Sequence, residues 1–173
     1  MDRLTRFIRR HPEGDEGFTL IELMVVVLII GILVAIAVPT FLGARNGAED
    51  KSAESSVRNA LTAGKVFYTD NNGYVGITPT AMTSLEPSLI FAAAVSPTSA
   101  NTVNVEAIGS TPAGMCLSAQ SATGRIFSVA DNGTGPVLYK SGTTDPCTGT
   151  MTAYPTTGTT TGSWFANATA AGF

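Results

Sequence analysis

The chain is poor in the residues that soluble catalysis and nucleic-acid binding need. Its 173 residues hold one histidine, His11, two cysteines, Cys116 and Cys147, and one tryptophan. That set leaves little for a nucleophile–base pair or a metal site, and no phosphate-binding glycine loop is present. Charge is equally scarce, and what there is falls unevenly. Eight charged side chains lie in residues 1–17, one in 18–44, eight in 45–70 and six in the last 103 residues. A net charge of −3 argues against a nucleic-acid partner, because neutralising phosphates needs clustered Lys and Arg. Beyond residue 70 the only basic residues are Arg125 and Lys140. A single soluble globule would not distribute its charge in this way.

The stretch with one charge is the informative one. From Phe18 to Ala44 the only ionisable side chain is Glu22, and residues 23–38 read LMVVVLIIGILVAIAV. A spanning helix needs roughly 20 mainly apolar residues, each advancing about 1.5 Å. The segment meets that length without the polar position per turn that a soluble core helix shows. Arg3, Arg6, Arg9 and Arg10 precede it, so the amino terminus is expected in the cytoplasm and the remainder exported. An ordinary secretory signal is the alternative, with Ala35-Ile36-Ala37 as its cleavage site. Asp15 and Glu16 stand where such a signal has none, and the apolar run is at the long end for one.

The junction reads Gly17-Phe18-Thr19-Leu20-Ile21-Glu22, after a short basic leader and before an unbroken apolar helix. This resembles the prepilin signature of the type IV pilin family, with the type II secretion pseudopilins as close relatives. The resemblance covers residues 1 to about 45 closely and 46 to 74 loosely. It implies cleavage between Gly17 and Phe18 by a membrane prepilin peptidase, which then N-methylates Phe18. Glycine before the cut offers no side chain to a protease cleft and bends easily. Cutting there discards eight charges, four of each sign, and keeps the apolar helix on the product.

Glu22 is the sharpest functional candidate. A carboxylate in a spanning helix costs about 2.5–3.5 kcal/mol at the bilayer centre and less near the interface. Within one chain it lies a turn from the amine freed at Phe18, where an acid near a helix amino terminus is mildly favourable. Between chains the resemblance implies a neighbour's amine as its partner, pinning the register of filament assembly. A simple interfacial cap is the alternative. Gly31 and Pro39 interrupt the span, at about 1 and 3 kcal/mol respectively. They mark either a segment that unwinds in a filament, as the resemblance implies, or a tolerated kink.

Residues 45–70 turn amphipathic. Ala53, Val57, Ala60, Leu61, Gly64, Phe67 and Tyr68 recur at spacings of three and four, with Glu49, Lys51, Glu54 and Arg58 on other faces. Asp70-Asn71-Asn72-Gly73 offers a stop, with Gly73 for the left-handed closing position. Beyond it, strands are expected at 102–108, 114–120, 125–130 and 136–140. The turn Asp131-Asn132-Gly133-Thr134-Gly135 joins the last two. An even cysteine count in an exported region suggests a Cys116–Cys147 disulfide, with free thiols as the alternative. Trp164 and Phe165 stand ready to anchor a final strand. Asp70 and Asp131 loosely resemble calcium loops, but each offers one carboxylate, which favours a turn or a cap. Asn132-Gly133-Thr134 and Asn167-Ala168-Thr169 fit the glycosylation pattern, which arises easily by chance in so threonine-rich a chain.

The expectation is an α+β, pilin-like fold: a long amino-terminal helix packed on a small antiparallel sheet with a carboxyl-terminal disulfide loop. Its parts are a removed leader at 1–17, a transmembrane and filament-core helix at 18–44, the amphipathic half at 45–73 and a β-rich head at 74–173. The resemblance implies a structural subunit rather than an enzyme, with no cofactor and no metal. Its partners would be copies of itself, the prepilin peptidase/methyltransferase, and a pilus assembly platform with its ATPase. The precursor would sit in the inner membrane and the product in an extracellular pilus. The alternatives are a pseudopilin in a periplasmic pseudopilus, or a secreted or membrane-anchored binding domain.

Overall fold

The computed structural model describes residues 17–93, 96–109, 114–148, 155, 164–166 and 172–173. The leader upstream of Gly17, the Asn167 glycosylation pattern and most of the threonine-rich tail lie outside the described residues. The chain forms two compact units, one up to Leu42 and one from Gly43 to Phe173. Helix α1, Leu20–Asn71, contributes its first part to one and its second part to the other.

The second unit is α+β. After α1 come α2, Pro79–Leu85, and five strands: β1, Ile90–Ala92; β2, Thr102–Ile108; β3, Gly114–Gln120; β4, Ile126–Asp131; and β5, Leu138–Gly142. They form one sheet in the order β1-β2-β3-β4-β5, antiparallel except for the β1–β2 pair, which is parallel. The sheet is therefore not wholly antiparallel, and α2 and β1 add two elements to those expected from sequence. Both occupy the link between α1 and β2. Thr78 caps α2 by accepting from Ala81 N at 3.2 Å, and Pro79 takes the first helical position, where its missing N–H costs nothing.

α1 ends at Asn71, within the expected stop, but a different residue closes it. Asn72, not Gly73, takes the left-handed conformation, with φ 52°, and Gly73 N donates to Tyr68 O at 3.1 Å. Asparagine tolerates that conformation well enough to replace glycine in a helix-closing motif.

The inner face of the sheet packs on α1. Ala53, Val57, Ala60, Leu61, Gly64 and Phe67 meet Val103, Val105, Met115, Leu117, Phe127 and Val129 in the main core. Gly64 allows the close approach, since a Cβ there would fall on the Met115 thioether. Glu54 departs from the expected pattern. It is buried rather than solvent-facing, with its carboxylate held by Lys51 and by Arg58 Nη2 at 2.6 Å. The two exposed cations lie a turn to either side, so their stems cover it and their charges balance it.

The outer face is covered too, which alternation along single strands does not reveal. Cys147, Trp164, Ile108, Cys116, Ala130 and Leu138 form a second, smaller core there. Phe165 extends the sheet by an antiparallel bridge to Tyr139, with N–O distances of 2.7 and 2.9 Å. On the inner face Phe173 packs edge-on against Phe127 and Tyr139, each at 5.2 Å between ring centroids.

A polar clasp joins α1 to the β3–β4 turn. Asp50 Oδ1 accepts from Thr123 Oγ1 at 2.6 Å, and Arg125 Nη1 lies 3.7 Å from Asp50 Oδ2. Partial burial pushes the Asp50 carboxyl up. Hydrogen bonding from Ser121 and Thr123 and the Arg125 charge outweigh that and hold it below the ordinary carboxylate range. A depressed pKa stabilises the fold above the unfolded-state value and loses that contribution as pH falls through the folded value. Asp50→Asn is thus expected to lower the melting temperature near neutrality. The gap to wild type should close as the pH is taken below about 4. Thermal melts at both pH values check this, and a gap independent of pH would contradict it.

Candidate functional site

Gly17, Phe18 and Thr19 precede the helix without regular structure, and α1 begins at Leu20. Thr19 and Glu22 build a reciprocal capping box. Thr19 N donates to Glu22 Oε2 at 3.0 Å and Thr19 Oγ1 donates to the same oxygen at 2.7 Å. Glu22 N donates back to Thr19 Oγ1 at 3.2 Å. Two of the orphan donors of the helix start are satisfied this way, which sets the geometry of the first turn. Thr19 is thus the residue that caps α1. Its signal was present, a threonine three positions before a glutamate at the head of an apolar run.

Within a single chain, Glu22 therefore acts as a cap. The same carboxylate is exposed on the first turn of a helix whose apolar side chains have no cover. From Phe18 to Leu42 every large apolar residue is exposed, from 48% at Val25 to 79% at Phe18. By length and composition this helix is able to cross a membrane. An apolar surface of this extent on all sides demands either lipid or other helices.

α1 is continuous through Gly31 and Pro39. Pro39 supplies no N–H to the preceding turn, and just beyond it Thr40 Oγ1 donates back to Ala37 O at 2.9 Å. That bond gives the one hydroxyl of this stretch an internal partner in an apolar setting.

Cys116 and Cys147 form a disulfide with a Cα–Cα distance of 5.4 Å. Both are fully buried in the outer core. Cys147 N donates to Asp145 Oδ1 at 2.8 Å, so the bridge fastens a turn as well as a strand. Asp131 accepts from Tyr74 OH at 2.9 Å and Gly133 N at 2.8 Å, which makes it a turn-forming acid. Gly133 has φ 75° and lies against the Tyr68 ring, so no side chain fits there.

A membrane-competent helix that carries a capping acid on its first turn and leads into an α+β unit closed by a disulfide is the architecture of a pilin-like subunit. Comparison with known proteins agrees. Residues 14–38 match the prokaryotic N-terminal methylation motif. The chain is 42% identical over 67 residues to a type IV major pilin protein of Myxococcus xanthus, covering 39% of this chain and 30% of that one. It is 36% identical over 92 residues to the type II secretion system core protein G of Escherichia coli, covering 53% and 60%. It is 41% identical over 59 residues to a type IV wide pilus major component of Thermus thermophilus, covering 34% and 45%. The matches thus span between about a third and three fifths of these relatives. No solved structure matches. The amino-terminal part of this chain thus carries the N-terminal methylation motif and is similar both to type IV pilins and to the type II secretion core protein G.

Proposed function

We propose that this protein is the structural subunit of a type IV pilus, made as a prepilin and polymerised through its amino-terminal helix into an extracellular filament. The observation that carries the reading is the bare apolar surface of residues 18–42 beginning at a prepilin-type junction. Such a surface is stored in the membrane as a precursor and buried against other copies on assembly. In this reading residues 1–17 are the cytoplasmic leader, cut between Gly17 and Phe18, and Phe18 is N-methylated. Residues 18–44 form the filament core, 45–73 the amphipathic half and 74–173 the head. Glu22 meets the freed amine of a neighbouring Phe18, while Gly31 and Pro39 let the core helix yield locally as subunits pack. The peptidase/methyltransferase, an assembly platform and its ATPase are the implied partners.

A pseudopilus is the second reading, favoured by the length of the match to core protein G. The disulfide-tethered carboxyl-terminal segment, a device the family resemblance associates with pilins, supports the first. Mass spectrometry of the mature chain is expected to find an N-methylated amino terminus at Phe18. Immunolabelling should place the chain in surface fibres. A start near Val38, or an intact leader, would overturn both filament readings, and fibres confined to the periplasm would select the pseudopilus.

A further inference from the structure

One row on the outer face of the sheet holds three buried polar atoms without a partner among the described residues. The register sets Asn104 opposite Ser118, Ser118 opposite Ser128 and Ser128 opposite Lys140. Such a row is ordinary on a solvated sheet, but here Asn104, Ser118 and Ser128 are fully buried. Asn104 Nδ2 donates to Cys147 O at 3.1 Å and to Asp145 Oδ2 at 3.4 Å. Those two acceptors fix the amide, because the flipped form would set Oδ1 against two oxygens. Among the described residues Asn104 Oδ1 then has no donor, and neither Ser118 Oγ nor Ser128 Oγ has a partner.

A buried polar atom left unpaired keeps its full desolvation cost. Three in one row call for a common explanation, and enclosed water is the ordinary one. Adjacent strands lie about 4.7–4.9 Å apart. Facing serines can bond directly across that gap, but Ser118 and Ser128 do not, so two bonds of about 2.8 Å meeting at one intervening atom would satisfy both. The donor set is neutral as well. Asp145, the carboxylate that touches Asn104, has both oxygens engaged by N–H donors.

We propose that this row is a buried hydration site holding two water molecules on the outer face of the sheet, beside Asp145 and Cys147. One donates to Asn104 Oδ1 and bonds Ser118 Oγ. The second bridges Ser118 Oγ and Ser128 Oγ and bonds the first. Each water then has three polar partners, within the range that enclosed water needs. Cys147 and Trp164 thus rest on a dry patch with Cys116, Ala130 and Leu138, while Asp145 and Cys147 also meet the wet row two residues further along the strands.

The test uses the full isotope-labelled chain in detergent micelles. Water-selective nuclear Overhauser spectra are expected to show cross-peaks from long-lived water to the Ser118 and Ser128 amide protons. Their absence at both positions would overturn the proposal. Ser118 serves both waters, so Ser118→Ala is expected to weaken the Ser128 cross-peak and lower Tm by about 2–4 °C. In a dry site the same substitution removes an unpartnered hydroxyl, so a raised Tm would also overturn the proposal.

Discussion

Glu22→Ala is expected to abolish filaments while leaving cleavage between Gly17 and Phe18 intact. In the proposed assembly the carboxylate faces the amine of a neighbouring Phe18 inside an apolar bundle. Removing one member of a buried pair leaves the other charge uncompensated, at about 3–5 kcal/mol. For each subunit joining the fibre that is a loss of about 10²–10⁴-fold in association. Losing the cap to Thr19 accounts for less, about 0.5–2 kcal/mol of local helix stability. Glu22→Gln separates the two roles, since glutamine serves in a capping box but carries no charge. If the charge sets the register, chains carrying Glu22→Gln assemble as poorly as the alanine variant. Fibre yield by electron microscopy, beside the processed fraction on gels, reads both outcomes. Normal fibres from Glu22→Ala would remove the register role altogether.

The second large effect is expected from Cys116→Ala with Cys147→Ala. The bridge closes a loop across a sequence separation of 31, which the chain-entropy model values at about 3–4 kcal/mol. A loss of that size corresponds to about 10 °C in melting temperature for a chain of this length. Both cysteines are fully buried, and Cys147 O and Asp145 are what orient Asn104. The loss should therefore concentrate on the outer face. Hydrogen exchange should rise first in β5 and residues 143–148, while α1 and β3 stay protected. A variant that melts with the wild type would show that the outer layer holds without its bridge.

The strands show which parts of the fold are legible from sequence. β2 and β3 match the bounds expected from alternation, because Val103 and Val105, and Met115 and Leu117, each put a clean apolar edge toward α1. α2 and β1 were not legible. A seven-residue helix of Pro, Thr, Ser, Ala, Met and Leu carries little periodicity, and a three-residue strand carries none. The parallel partner of β1 is also chosen by how the chain returns, not by its own residues. Thr19 is legible as the first half of a capping box, since a glutamate follows three positions later at the head of an apolar run.

By itself the sequence determined the amphipathic change at residue 45, the apolar stretch and its single acid, and the cysteine pair. Each is written in residues close together in the chain or scarce enough to leave few choices. Only the tertiary structure decided that Glu54 is buried between two cations, and that Asn72 rather than Gly73 closes α1. It alone showed that Asn104, Ser118 and Ser128 lie beneath a second layer. Alternation tells a strand which side is polar. Whether that side meets solvent depends on what arrives from elsewhere, and here Cys147 and Trp164 bring cover from far along the chain.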